Sequence, residues 1–592
     1  VDLFAALTIG LIALIVTPGH LFYYDVTPKI AVLLVGTSAM LLWPRGKGAV
    51  GAPRALALLV VASLCSLAVS TALSSDPALS AFGTNWRRFG AVTQAAVLIF
   101  TWLIARHVAA RPERARTILR GVAASGAVAA LYGIGQYFGW DPILPAAGYH
   151  IGEGIWTIVR PPGTLGYVSY FATWLLAVVF LSLGLAQWET KVRLRYAAFA
   201  AAALAAVAIL LTGTRAAMLG LAAGIAVWLW RRGFRISKRV AAGIAVLLLA
   251  VVAFYYSPAG WPLRSRTRWF VEDPWGGARI ELWRDSLAMA SHRLPLGYGP
   301  EVYTAEFPRF ESKSLARAYP DFLHESPHNI FLDALVSQGI PGFAILCAFC
   351  FLGLRAAWRL KHPGAAWLAA GVAAAIVSQQ FTVFTMPTAL ALYLMIAVAL
   401  ALEGGSRARA TWVAVVVPLL YVAARLVMAD HQLALASQAV ARDDVTASAA
   451  HYGSYDKLRF PGTGSDLWYS RACSDLAART RSPIVRIQAM AQAGAAALRA
   501  TRTSEEPFNA WYNLSALYAA QNDFADTEKS LRAAIAARPN WFKPHWTLAQ
   551  VLRLERRMPE ARQEAELAVD LNGGKHPEVV QTLNEIRGPQ PW

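Results

Sequence analysis

His328 heads the stretch Ser326-Pro327-His328-Asn329-Ile330-Phe331-Leu332-Asp333, where a polar segment runs into an apolar one. Ser326 suits a helix N-cap and Pro327 a first turn, which would set His328 among the free N–H groups of a helix start, where anions bind. A histidine partly neutral near pH 7 can take a proton from an attacking hydroxyl, so the position suits chemistry on a phosphorylated substrate at a membrane surface. Gly339 and Pro341 should end or bend this helix after about three turns. The apolar run Phe343 to Leu354 then continues, predicting an oblique or re-entrant histidine helix.

Arginine is the second informative residue type. Arg87 and Arg88 close the loop that begins at Ser75; Arg160 opens Arg160-Pro161-Pro162-Gly163-Thr164-Leu165-Gly166; Arg215 ends the short connection Thr212-Gly213-Thr214-Arg215; and Arg279 precedes Trp283 and the run Pro295-Leu296-Gly297-Tyr298-Gly299. Guanidinium groups stay charged and grip phosphate oxygens in a planar fork, which suits a pyrophosphate leaving group. The bland alternative for each is an interfacial side chain or a loop ion pair. Glu272, Asp273, Glu281, Asp285, Glu301, Glu306 and Glu311 lie in the same outer region and are expected to cap or pair, with one of them a candidate to orient His328. His324-Glu325-Ser326-Pro327-His328 spells H-E-x-x-H, but Pro327 breaks the helical turn a zinc site of that type needs, so no metal is expected.

These residues need a membrane scaffold. The 592-residue chain is 56% hydrophobic and only 15% charged, which excludes an ordinary soluble enzyme. Apolar segments near 3–17, 28–43, 55–73, 90–110, 117–139, 164–188, 195–212, 216–230, 239–257, 341–358, 364–385, 388–402 and 410–428 predict an all-α polytopic protein with about 12–13 transmembrane helices. Basic residues fill alternate loops: Arg45, Lys47 and Arg54; Arg106, Arg111, Arg114 and Arg116; Lys191, Arg193 and Arg195; Arg231, Arg232, Arg235, Lys238 and Arg239; Arg355, Arg359 and Lys361; Arg407 and Arg409. Those loops are expected inside, leaving 74–89, 140–163, 212–216, the large loop 258–328 and everything after the last span outside. The inner loops account for much of the net charge of +19, so a nucleic-acid partner is not expected. No cleavable signal peptide is expected, since Asp2 precedes the first apolar run. Cys347-Ala348-Phe349-Cys350 is C-x-x-C in a span and reads as packing; Cys65 is in another span, and Cys473 stands alone in the tail.

Residues 1–428 form the expected membrane domain and 429–592 an extracytoplasmic tail. Within the tail, residues 507–540 and 541–574 repeat at an offset of 34, pairing Tyr512 with Trp546, Leu514 with Leu548, Leu517 with Val551, Ala534 with Ala568 and Ile535 with Val569. This resembles the tetratricopeptide repeat, with a degenerate unit over 466–506. Such an array either binds a protein partner or serves as a packing module.

Taken in order, Arg88-Phe89-Gly90, Arg160 to Gly166, Gly213-Thr214-Arg215, Arg279 with Trp283, Pro295 to Gly299, and Pro327 to Gly342 resemble the bacterial O-antigen ligase and polymerase superfamily of membrane glycosyltransferases. The resemblance implies a C-type glycosyltransferase architecture in the bacterial inner membrane, with its active site on the periplasmic side. It implies an inverting, metal-independent and cofactor-free transfer of a glycan from undecaprenyl pyrophosphate to an acceptor hydroxyl. His328, Arg215 and Arg279 match the essential positions, and Arg88 and Arg160 join Arg215 and Arg279 as candidates for holding the pyrophosphate. Tyr167-Val168-Ser169-Tyr170 departs from an Asn-rich family segment. Lipid A core sugar for a ligase, a repeat unit for a polymerase, and a protein Ser/Thr for an O-oligosaccharyltransferase all remain open as acceptors. A transporter or flippase is the alternative of another class; it would need charges lining a path through the spans, which are sparse here.

Overall fold

The computed structural model describes residues 2–43, 51–153, 155–233, 238–273, 276–404, 407–408, 413–462 and 464–588. Arg45, Lys47, Arg235 and Arg409 lie outside the described residues. The chain is mostly helical. Among the described residues, eight helices are long and apolar enough to cross a membrane: Arg54–Ala72, Ala91–Ala110, Arg114–Tyr137, Val168–Trp188, Val192–Thr212, Ile330–Arg359, Met386–Glu403 and Val413–Ala441. Asp2–Leu14, Thr27–Leu42 and Ala365–Ser378 are apolar but shorter. The helices Arg215–Arg231 and Lys238–Tyr256 occupy two further expected segments. The expected count of about thirteen therefore reduces to eight helices that meet the length and apolarity of a span. The all-α expectation also needs amending, because His150–Glu153 and Trp156–Val159 form an antiparallel hairpin and Ala52–Pro53 pairs with Arg407–Ala408.

Large buried side chains such as Phe100, Trp102, Phe171, Trp174 and Phe180 fill the bundle core. Helix Arg215–Arg231 approaches Ala365–Ser378 closely through Gly220 and Gly224. A Cβ would lie 2.7 Å from the Ala374 carbonyl at Gly220, and 2.9 Å from the Ala370 carbonyl at Gly224. Small residues four apart permit this backbone approach without an aqueous hydrophobic driving force. It fixes the start of the Arg215 helix beside the end of Ala365–Ser378. The expected span 364–385 stops short there: residues 379–385 are non-helical until Thr385 caps Met386–Glu403, with Pro387 in its first turn.

Helix Ile330–Arg359 carries the predicted break. Gly339 has φ 65° and ψ −159°, a region open essentially to glycine, and a Cβ there would meet the Leu294 carbonyl at 2.4 Å. The run Pro295–Gly299 docks on this break. The amides of Tyr298 and Gly299 donate to the Val336 and Ser337 carbonyls at 2.8 and 2.9 Å, and Ile340 donates to Leu294 at 2.8 Å. Backbone groups freed by the kink are thus satisfied by the loop, as a low-dielectric setting demands.

The last long helix runs on past residue 428, so the expected boundary between membrane domain and tail lies within one continuous element. The tail then stacks the helix pairs Asp466–Arg479 with Pro483–Thr503, Pro507–Ala520 with Phe524–Ala537, and Phe542–Leu554 with Met558–Asn572, closed by Pro577–Arg587. Leu514, Leu517, Ala534, Leu548, Val551 and Ala568, matched across the 34-residue offset, are all buried.

Candidate active site

The regions 74–89, 160–167, 213–215, 258–328 and 379–385 meet at one end of the bundle. Ser74 donates to the Tyr298 carbonyl at 2.7 Å, Arg87 pairs with Glu301, and Arg215 reaches the carbonyls of Asp273 and, at 3.2 Å, Trp269. The tail reaches the same end through Arg538 and Glu311.

Four arginines gather here: Arg160, Arg215, Arg266 and Arg279. Arg215 begins its helix and leans on the carbonyls ending helix Trp261–Glu272, with its guanidinium 5.0 Å from the Phe270 ring centroid. Arg279 begins helix Arg279–Ser291, donating to Gly276 at 2.7 Å and to Phe381 of the 379–385 segment at 3.4 Å. Arg160 lies over the Tyr167 ring at 5.6 Å, so the tyrosine that departs from the family pattern touches the cluster.

Arg266 is a member the sequence reading missed. Its side chain packs across Gly213, where φ is +58° and a Cβ would lie 2.6 Å from the Arg266 Cγ, and its guanidinium sits 4.5 Å from the Trp269 ring centroid. Burial, then Arg160 and Arg215, push the Arg266 pKa down to about 10. Burial and then Arg215 lower that of Arg279 as well. The Nε of Arg160, the Nε of Arg279 and both Nε and Nη1 of Arg266 are buried without a hydrogen-bond partner among the described residues. Buried donors normally find acceptors, and like charges normally keep apart. Together these groups bring several buried guanidinium donors to one place.

His328 stands beside this cluster but differs locally from the expectation. Helix Ile330–Arg359 is capped by Asn329, whose Oδ1 accepts from Phe331 and Leu332 at 3.0 and 3.1 Å, so neither Ser326 nor Pro327 belongs to it. His328 precedes the cap in a left-handed turn with φ 52°, and its amide donates to the Ser326 Oγ at 3.1 Å. Trp283 Nε1 donates to the Pro327 carbonyl at 2.9 Å, one helical turn from Arg279, and fixes the histidine segment against the arginine helix. Burial, followed by Arg279 and Arg87, lowers the His328 pKa to about 4. The ring is therefore neutral at pH 7. A non-glycine residue held at positive φ beside a cluster of arginines fits a functional position.

Arg88 does not join the cluster. It turns back with φ 48°, pairs with Asp430 at 3.4 Å and lies over Tyr23 at 4.9 Å, so its guanidinium ties the last long helix to the segment that holds Tyr23. Its neighbour Arg87 takes the place nearer His328, held by Glu301, by the Phe384 carbonyl at 3.3 Å and by Asp333 at 4.0 Å. The acids of the 258–328 region mostly serve arginines: Asp273 faces Arg215, Asp285 Arg284, Glu301 Arg87 and Glu311 Arg538. No side-chain hydrogen bond from one of these acids to the His328 ring occurs among the described residues. The segment His324 to His328 is not helical, so the two histidines do not share a helix face. Burial, then Arg538, takes His324 down to about 3.

Residues 200–347 match the Wzy_C family model, described as "O-Antigen ligase". The match includes Arg215, Arg266, Arg279 and His328. This part of the chain is similar to membrane glycosyltransferase-like enzymes that use lipid-linked glycans. No curated protein matches the chain.

Proposed function

We propose that the protein transfers a glycan from undecaprenyl pyrophosphate to an acceptor hydroxyl at the outer face of a bacterial cytoplasmic membrane, as an O-antigen ligase does. The observation that carries this reading is the set of buried, unpartnered guanidinium N–H groups of Arg160, Arg266 and Arg279 beside a neutral histidine. With Arg215 they would hold the two phosphates and stabilise the charge that develops as the sugar departs. The acceptor oxygen forms the new bond to the anomeric carbon as the bond from that carbon to the pyrophosphate oxygen breaks. The electron pair leaves with the pyrophosphate, the acceptor proton passes to the His328 ring, and the anomeric configuration inverts. Arg87, held by Glu301 and Asp333, is a fixed positive neighbour rather than a free phosphate ligand.

The loops that gather at the site are those that the inner basic loops leave for the outside, which supports an extracytoplasmic site. The tail's paired helices at an offset of 34 support tetratricopeptide repeats, and the buried pair of Arg538 with Glu311 of the 258–328 region supports one compartment for both. The test uses purified full-length protein, a polyprenyl-pyrophosphate glycan and three acceptors: lipid A core, a second lipid-linked glycan and a Ser/Thr peptide. Transfer in EDTA that depends on His328, Arg215 and Arg279 is expected. Turnover that survives His328→Ala, or that EDTA abolishes and zinc restores, would overturn the mechanism.

A further inference from the structure

The chain from Glu311 to Asn329 delivers His328, yet its one helix is the six-residue Lys313–Ala318. Helix Arg279–Ser291 holds its two ends: Trp283 donates to the Pro327 carbonyl, and Asp285 Oδ2 accepts from the Ser312 amide at 2.9 Å, with Leu315 buried against Leu282 and Met289. The tail grips Glu311 and the stretch between those ends. Arg538, at the end of helix Phe524–Ala537, donates through Nε and Nη2 to both Glu311 carboxylate oxygens at 2.8 and 2.9 Å, and through Nη2 to the Phe322 carbonyl at 3.0 Å. The Arg538 and Glu311 side chains are 4% and 2% exposed. Asn540 Nδ2 donates to the Glu311 carbonyl at 2.6 Å. Lys543 and His576 both reach Asp321, at 2.8 and 2.9 Å, and Leu323 packs against the tail cluster of Phe508, Trp541 and Phe542.

We propose that Arg538 is a positioning residue for transfer: the tail braces the histidine segment from Glu311 to Phe322 and so sets where His328 stands. The inference rests on the reading of His328 as the group that takes the acceptor proton. It gives the repeats a task inside their own chain, separate from recruitment of a partner. A paired, bidentate guanidinium fixes direction as well as distance, and lysine offers no such fork. A small displacement of a reacting group lowers turnover without weakening a site held by other elements. The four arginines of the anion site come from other segments, so donor binding should be spared.

The experiment uses the full-length protein in lipid nanodiscs with Arg538→Met, Arg538→Lys and the exchanged pair Arg538→Glu with Glu311→Arg. Asn540→Ala serves as a milder variant should Arg538→Met fold poorly. Inorganic pyrophosphate affinity, kcat and KM for transfer, and amide hydrogen exchange across 319–328 are measured. Arg538→Met should lower kcat at least about tenfold, leave the pyrophosphate Kd within about threefold and speed exchange at 319–328 but not in the spans. The exchanged pair should recover part of the loss, and Arg538→Lys less than the native arginine. Wild-type kcat in Arg538→Met and Asn540→Ala, or exchange unchanged at 319–328, would overturn the proposal. So would a parallel fall in kcat and pyrophosphate affinity with faster exchange throughout, which marks plain destabilisation. Absence of transfer by the wild-type protein with every acceptor would instead strike the functional reading, and the exchange comparison would still decide whether the tail braces this segment.

Discussion

Replacing Arg266 by methionine removes a cation while leaving an unbranched apolar side chain to cover Gly213. The Arg266 pKa, lowered to about 10 from an ordinary 12.5 by burial and by Arg160, Arg215 and Arg279, means the charged form is disfavoured by roughly 3 kcal/mol. Removing that charge should relieve much of the penalty. Loss of the contact with Trp269 offsets roughly 0.5–1 kcal/mol. The ligand-free variant should therefore be more stable than the native protein, with Tm higher by about 1–3 °C in a chain of this size. Binding should move in the other direction. A charge-assisted hydrogen bond to phosphate contributes roughly 1.5–3 kcal/mol, so pyrophosphate affinity should fall about ten- to a hundredfold.

Opposite signs in stability and binding distinguish a ligand-binding cation from a structural one. The assay is thermal unfolding of full-length protein in detergent with and without pyrophosphate, together with equilibrium binding. Arg268→Met is the control, since Arg268 is paired with Glu272 at 3.0 Å on the same helix. A lower Tm for Arg266→Met with unchanged pyrophosphate affinity would refute the assignment of Arg266 to an anion site.

His328→Ala should abolish transfer while pyrophosphate affinity stays within about threefold, because the arginines remain. The folded His328 pKa near 4 lies below the unfolded 6.5, so this group leaves stability undiminished above pH 6.5 and lowers it as pH falls toward 4; denaturant unfolding at pH 7 and 5, compared with His328→Ala, measures the difference. The acid limb of kcat/KM should accordingly lie well below pH 6.5 and that of kcat higher, whereas coincident limbs near 6.5 would remove His328 as the base. Gly339→Ala should cost about 1–3 kcal/mol from backbone strain alone and cut folded yield, read by size-exclusion chromatography; native-like yield and Tm would count against the kink geometry. Cys473 is buried, so in a background lacking the other cysteines an impermeant maleimide should label it from outside cells only after mild unfolding. Labelling that requires opening the inner membrane would invert the proposed topology.

The features legible in the sequence were those encoded locally. Gly339 with Pro341 announced a kink because few residues tolerate that backbone, and the 34-residue offset announced paired helices through their buried Leu and Ala positions. Membership of the arginine cluster was less legible. Arg264-Ser265-Arg266-Thr267-Arg268 places three arginines on a segment expected outside, a signal in itself, but alternate residues point to different sides of a helix and only packing selects Arg266. Arg87 and Arg88 are adjacent, and the positive φ at Arg88 sends one toward His328 and the other toward Asp430. The capping error arose because Ser326 and Asn329 are both good caps, and the Asn329 side chain takes the bonds. The 379–385 break had its signals in Gln379, Gln380 and Pro387. Their weight becomes clear only once Arg87, Arg279 and the Ile330 amide are seen to use the carbonyls of Phe384, Phe381 and Gln379.

A histidine held near pKa 4 is a poor base, and four crowded arginines are a costly arrangement, yet the two faults answer each other. In the proposed reaction the donor brings negative charge to Arg160, Arg215, Arg266 and Arg279. That charge offsets the repulsion among the cations and weakens the field of Arg279 at His328, raising the proton affinity of the imidazole in part while the larger effect of burial stays. Proton acceptance is then favoured when the leaving group is in place and disfavoured when it is absent. The same polarity limits side reactions: a water or acceptor hydroxyl that enters an empty site meets a neutral ring of low proton affinity. Arg87, locked to Glu301 in both conditions, sets the part of the field that donor binding does not cancel.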